Sequence, residues 1–74
     1  MKIHSTAIIQ DKSKIDDSVE IGPFCIIDED VEIKKGTKLL SHVVLRGPTI
    51  IGEDNIFYQF STIGEDTPDK KFKG

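Results

Sequence analysis

The sequence predicts an all-β protein, a parallel β-helix built of hexapeptide repeats, and two observations predict it. An apolar residue stands at every sixth position over most of the chain: Ile3, Ile9, Ile15, Ile21, Ile27, Ile33, Leu39, Leu45, Ile51, Phe57 and Ile63. A second, mostly small residue follows each of them four positions later: Ala7, Ser13, Val19, Cys25, Val31, Thr37, Val43, Thr49, Asn55, Ser61 and Thr67. A period of six fits neither an α-helix, whose apolar face recurs at about 3.6 residues, nor a hairpin sheet, whose turns reset the register.

Three hexads are expected to close one triangular coil, because each hexad supplies one short strand and one corner. Residues eighteen apart then stack above one another. The three inward stacks are Ile3, Ile21, Leu39 and Phe57; Ile9, Ile27, Leu45 and Ile63; and Ile15, Ile33 and Ile51. Most of these residues are β-branched, which favours strands, and the small residues of the fifth hexad position suit the narrow corners.

The corners carry residues that favour bends, such as Gly22-Pro23, Lys34-Lys35-Gly36 and Gly47-Pro48. A chain of 74 residues makes about four triangular coils. The last coil, around Ile51 to Ile63, would expose a strand edge and the apolar end of the core, and soluble proteins usually cover such edges. We therefore expect either further coils in the natural protein or self-association of the isolated chain, side by side or end to end.

The repeat is expected to occupy residues 1–64, and residues 65–74 are expected to form a loop that leaves the prism. A proline, Pro68, and a run of charged residues stand where the next strand would begin. Asp69 also occupies the position at which the repeat requires an apolar residue. No linker or further domain boundary is visible before this point.

Composition argues against several classes of function. The net charge is −3 and the pI about 5.2, so a nucleic-acid-binding surface is not expected. No apolar run approaches the roughly eighteen residues of a membrane span, and no signal peptide precedes the first hexad. Together with a single cysteine, Cys25, these features predict a cytoplasmic protein without disulfides.

Particular motifs resemble one family of hexapeptide proteins. They are Gly22-Pro23-Phe24-Cys25-Ile26, Ser41-His42-Val43-Val44, Gly52 with Asp54-Asn55, Tyr58-Gln59-Phe60, Ile63-Gly64-Glu65, and Asp69 with Lys71-Phe72 and Gly74. Together they resemble the N-terminal coils of the UDP-N-acetylglucosamine acyltransferases that open lipid A biosynthesis in Gram-negative-type bacteria. The resemblance implies a left-handed winding of the coils and a homotrimer. It also implies that the chain stops before the later coils and the helical domain of the family.

The function implied by this resemblance is transfer of a 3-hydroxyacyl group from acyl carrier protein to the glucosamine 3-hydroxyl of UDP-N-acetylglucosamine. A sugar hydroxyl needs a general base such as histidine to attack a thioester, and a backbone N–H to stabilise the oxyanion. In the family, these groups lie in later coils, so no catalytic residue is expected in this chain, which should be inactive alone. The carrier-protein thioester is a co-substrate, and no cofactor or metal is implied.

Two residues match substrate-site positions of the family. Asp69 is a carboxylate suited to accept hydrogen bonds from sugar hydroxyls or from a histidine. Lys71 is suited to stabilise negative charge on the substrate or in the transition state. The competing interpretation is an exposed charged loop without a binding role.

Other candidate residues are better explained structurally. Cys25 stands at a small corner position, where a packed thiol is expected. His4 and His42 have no third histidine with which to form the zinc site of carbonic-anhydrase-like β-helices. Two alternatives to the acyltransferase remain: a non-catalytic β-helix module that assembles with other chains, and another hexapeptide acyltransferase, such as the N-acyltransferase acting later in the same pathway.

Overall fold

Ten very short strands and one turn of 3-10 helix make up the described part of the chain. The structure, a computed structural model, describes residues 1–64. The 3-10 helix is Lys12–Lys14, and the strands are β1 (Lys2–Ile3), β2 (Ile8–Ile9), β3 (Glu20–Ile21), β4 (Ile26–Ile27), β5 (Val31–Ile33), β6 (Lys38–Leu39), β7 (Val44–Leu45), β8 (Thr49–Ile51), β9 (Ile56–Phe57) and β10 (Thr62–Ile63).

The strands form three parallel sheets, one for each side of a prism. The first sheet has the order β1-β3-β6-β9, the second β2-β4-β7-β10, and the third pairs β5 with β8. Every pairing joins residues eighteen apart, as in Ile3 with Ile21 and Ile33 with Ile51. The described residues thus build three coils and two sides of a fourth, which confirms the parallel β-helix and its coil length.

The core is an apolar column along the axis of the prism. The predicted inward residues of the central coils are buried, including Ile21, Ile27, Ile33, Leu39 and Leu45. Side chains at the fifth hexad position complete this core, because Val19, Cys25, Val31, Thr37 and Val43 are fully buried at the corners. Full burial of one such aliphatic side chain contributes about 1.5–3 kcal/mol to stability. The buried hydroxyl of Thr37 donates a hydrogen bond of 2.8 Å to the Gly52 carbonyl.

Polar side chains build the second and third corners of the first coil. Asp11 accepts hydrogen bonds from the hydroxyl and backbone N–H of Ser13, at 2.6 and 2.9 Å. Asp16 binds Ser18 in the same way. These bonds lower the pKa of each carboxyl group, and the bond from the serine hydroxyl has the largest effect.

The turn at Asp11 also caps the 3-10 helix. This helix replaces the strand expected on the third side of the first coil. Only Ile15 continues that sheet, through a bridge to Ile33.

Two expectations from the sequence are not tested by these observations. The loop predicted for residues 65–74 lies outside the described residues, and the left-handed winding of the coils stays a prediction. Within residues 1–64, no helix has the length and apolarity needed to cross a membrane.

Candidate functional site

Asp69 and Lys71, the two residues predicted to contact substrate, lie outside the described residues. Their roles therefore stay predictions. The described part of the chain brings together a different group of side chains at the first corner, which joins the first sheet to the second.

Three aromatic rings stack along this corner, one from each of three successive coils. The ring centroid of His42 lies 5.0 Å from that of Phe24 and 5.1 Å from that of Phe60. The interplanar angles of 29° and 30° show that both pairs are stacked. We call Phe24, His42 and Phe60 the aromatic ladder. All three side chains are exposed to solvent.

The backbone places the ladder residues in the left-handed region. Their φ angles are 60° at Phe24, 54° at His42 and 67° at Phe60. Hydrogen bonds tie each one to the preceding coil, because the N–H of Phe24 donates to the Thr6 hydroxyl at 2.9 Å and that of His42 to the Pro23 carbonyl at 3.0 Å. The N–H of Phe60 donates to the His42 carbonyl, also at 3.0 Å. Each rung is thereby held directly below the previous one.

Among residues 1–64, neither histidine has the arrangement of a general base whose imidazole is held in place by a carboxylate. His42 is stacked between two phenyl rings, whereas His4 Nδ1 lies 2.9 Å from the hydroxyl of Thr6. Across residues 1–64, the carboxylates that form ion pairs do so with lysine or arginine. The geometry of the first corner supports contact between surfaces rather than proton transfer.

Cys25 is a buried structural thiol beneath the same corner. Its Sγ lies 3.9 Å from the carbonyl oxygens of Pro23 and Leu40. Burial raises the pKa of the thiol, so the nucleophilic thiolate is disfavoured. Residues 1–64 contain no group of three or more His, Cys, Asp or Glu side chains placed to hold a metal ion.

The aromatic ladder was not predicted from the sequence, although a signal for it is present. Phe24, His42 and Phe60 are spaced by eighteen residues, the length of one coil. Applying the coil period to the outward positions as well as the inward ones would have placed the three rings in one column.

Comparisons with known proteins connect the chain to one group of enzymes. No protein-family model matches it. Over 72 residues, or 97% of the chain, it is 54% identical to an acyl-[acyl-carrier-protein]–UDP-N-acetylglucosamine O-acyltransferase from Saccharophagus degradans. Over 73 residues, or 99% of the chain, it is 47% identical to a protein of the same name from a Psychrobacter species.

These two matches confirm the resemblance seen in the sequence motifs. The chain spans 28% of the length of each of these curated relatives. The similarity therefore covers almost all of this chain but only a part of the enzymes.

Proposed function

We propose that this chain is the N-terminal portion of an acyltransferase that acts on UDP-N-acetylglucosamine with an acyl carrier protein as donor. The observation that carries the proposal is the 54% identity over 97% of the chain to an enzyme of that name. The β-helix with eighteen-residue coils, which the resemblance implies, supports it. The acyl group is a 3-hydroxyacyl chain and the acceptor is the glucosamine 3-hydroxyl, in the first step of lipid A biosynthesis.

The reaction needs groups that the described coils do not bring together. A sugar hydroxyl is a weak acid, so a base must remove its proton as the oxygen attacks the thioester carbonyl. Donors must also stabilise the oxyanion of the tetrahedral intermediate. In residues 1–64, His42 is stacked between phenyl rings, and the Cys25 thiol is buried. We assign the catalytic histidine and the oxyanion site to later coils of the complete protein.

The contribution of this chain to the active site is assigned to Asp69 and Lys71. An ionised carboxylate at position 69 is suited to bind sugar hydroxyls or to orient a histidine. An ammonium group at position 71 is suited to stabilise the negative charge that develops during acyl transfer. No metal or cofactor enters this scheme.

The complete protein is proposed to work as a homotrimer in the cytoplasm. Acyl carrier protein and UDP-N-acetylglucosamine are its partners in the reaction, and the active site lies in a cleft between neighbouring prisms. The exposed rings of the aromatic ladder support an assembly in which prisms pack side by side.

The isolated 74-residue chain is expected to be catalytically inactive. Mixed with 3-hydroxyacyl carrier protein and UDP-N-acetylglucosamine, it should form no acylated sugar, because the general base is supplied elsewhere. The measurement is chromatographic detection of the product, with the complete protein as the positive control. Turnover by the isolated chain above the uncatalysed background would contradict the assignment of catalysis to later coils.

Replacing Lys71 with alanine in the complete protein is expected to lower kcat/KM by about tenfold or more, equivalent to about 1.4 kcal/mol of transition-state stabilisation. The sequence predicts a loop at this position, and substitutions on exposed loops usually change stability by less than about 0.5 kcal/mol, so we expect the variant to stay as stable as the parent. Lys12→Ala is the matched control, because Lys12 is exposed on the 3-10 helix. Equal kcat/KM for the two variants would remove Lys71 from the site.

A further inference from the structure

The backbone at Gly64 bends at a position where the corners of the prism do not. Its φ angle is 76°, and it comes directly after Ile63, an inward position of the repeat. Among residues 1–64, every other positive φ angle belongs to the third residue after an inward position: Phe24, Gly36, His42, Asp54 and Phe60. The chain therefore turns at Gly64 two positions earlier than a regular corner requires.

The coil keeps its regular pairing up to the residue before Gly64. Ile63 pairs with Leu45 in the second sheet, and the N–H of Arg46 donates to the Ile63 carbonyl at 2.8 Å. One coil earlier, the N–H of Asp28 donates in the same way to the Leu45 carbonyl, at 3.0 Å. The change of backbone direction thus begins at Gly64 and not within the strand.

The turn of the preceding coil, residues 46–49, fills the space in which a side chain at position 64 would stand. A Cβ added to Gly64 would overlap the carbonyl oxygen of Arg46. It would also lie 3.1 Å from the carbonyl carbon of Arg46 and 3.1 Å from the hydroxyl oxygen of Thr49. Glycine is suited to this position for two reasons, because it has no Cβ and because it adopts a positive φ angle without strain.

The 46–49 turn is itself held from two sides. The hydroxyl of Thr49 donates to the Arg46 carbonyl at 2.6 Å, and the N–H of Thr49 donates to the Asp30 carbonyl at 3.1 Å. A Cβ added to Gly47 would lie 2.5 Å from the Cβ of Asp30, so the turn packs closely against the coil before it. The turn cannot withdraw from a side chain at position 64, because the preceding coil leaves it no space.

We propose that Gly64 is a positioning residue for acyl transfer, because it fixes the direction in which the chain continues toward Asp69 and Lys71. The inference rests on the proposed function, which assigns these two side chains to the substrate. They follow Gly64 by five and seven residues. A displacement of a catalytic or binding group by about 1 Å can lower a rate about a hundredfold. Gly64 acts in this scheme through the two charged side chains and not by contact with the substrate.

Gly36 provides the matched control for a purely structural role. Its φ angle is 81°, and a Cβ added there would overlap a carboxylate oxygen of Asp54. It lies at the third corner, in the regular turn position, and its N–H donates to the Ser18 hydroxyl at 2.8 Å. Gly36→Ala therefore imposes the same kind of backbone strain as Gly64→Ala. It does so without changing the direction of the chain before position 69.

The test is a double-mutant cycle in the complete protein, with 3-hydroxyacyl carrier protein and UDP-N-acetylglucosamine as substrates. We expect Gly64→Ala to lower kcat/KM about tenfold or more and Gly36→Ala to leave it within about twofold. In a Lys71→Ala background, the loss caused by Gly64→Ala should be smaller by at least about threefold. The reason is that one of the two groups that Gly64 positions is then already absent.

Circular dichroism checks that each variant is folded. Thr49→Val replaces Gly64→Ala in the cycle should the latter not fold, because valine has a similar volume and only the hydrogen bond to the Arg46 carbonyl is lost. Losses that multiply fully in the double variant would overturn the inference, since a purely structural effect is independent of Lys71. Equal kcat/KM for Gly64→Ala and Gly36→Ala would overturn it as well.

The same experiment separates failure of this inference from failure of the proposed function. A complete protein that does not acylate UDP-N-acetylglucosamine would overturn the proposed function and the role of Gly64 together. A complete protein that turns over, with an unchanged kcat/KM in Lys71→Ala, would remove Lys71 from the site and overturn the inference. That second result leaves the acyltransferase proposal standing.

Discussion

Replacing Ile33 with aspartate is expected to unfold the chain. Ile33 is 1% exposed and lies in the third inward stack, bridged to Ile15 and paired with Ile51. A carboxylate there would be surrounded by apolar side chains. Burial of an unpaired charge costs several kcal/mol, and a chain of this size buries too little surface to absorb such a loss.

Thermal unfolding followed by far-ultraviolet circular dichroism is the measurement for Ile33→Asp. Ile56→Asp is the matched control, because Ile56 is 54% exposed and pairs with Lys38 in the first sheet. The control should keep a cooperative transition close to that of the parent. A cooperative transition of Ile33→Asp at the parent's midpoint would show that position 33 is not in the core.

Gly22→Ala is expected to destabilise the fold by about 1–3 kcal/mol or more, because the close approach of two coils leaves no space for a side chain. A Cβ added to Gly22 would overlap the carbonyl oxygen of Leu40 and lie 2.7 Å from its carbonyl carbon. These are backbone atoms of the next coil, so they cannot rotate away. The shift would also strain the hydrogen bond of 2.9 Å from the Gly22 N–H to the Leu39 carbonyl.

Urea denaturation distinguishes this steric cost from a general cost of replacing glycine. At Gly52 an added Cβ would meet only the side-chain nitrogen of Asn55, at 3.7 Å. Gly52→Ala should therefore be neutral or slightly stabilising, by up to about 1 kcal/mol, since alanine has less conformational freedom in the unfolded chain. Midpoints of the two variants that coincide would refute the steric explanation.

Much of the fold was predictable because one physical requirement repeats in every coil. A side chain that points inward must be apolar, and the coil brings the next inward residue directly below it. The predicted stacks of Ile21, Leu39 and Phe57, and of Ile15, Ile33 and Ile51, are both confirmed by the strand register. The prediction was wrong only locally, on the third side of the first coil. There the hydrogen bonds of Asp11 favour a 3-10 turn over a strand.

The candidate site was less predictable than the core. Asp69 and Lys71 came from the family resemblance and lie outside the described residues. The aromatic ladder was missed because the hexad pattern constrains only the inward positions, whereas Phe24, His42 and Phe60 point outward. Nothing in a hexad pattern indicates that a phenylalanine adopts a positive φ angle.

The repeat alone was enough to establish which side chains of the central coils are buried, how long each coil is and where most of the strands pair. It was enough because burial depends on the alternation of side chains along a strand and on a constant coil length, both of which are periodic in the chain. The outer surface depends on more than the period. Only the closed prism stacks the three rings of the aromatic ladder at about 5 Å, because backbone angles at the corners direct the outward side chains.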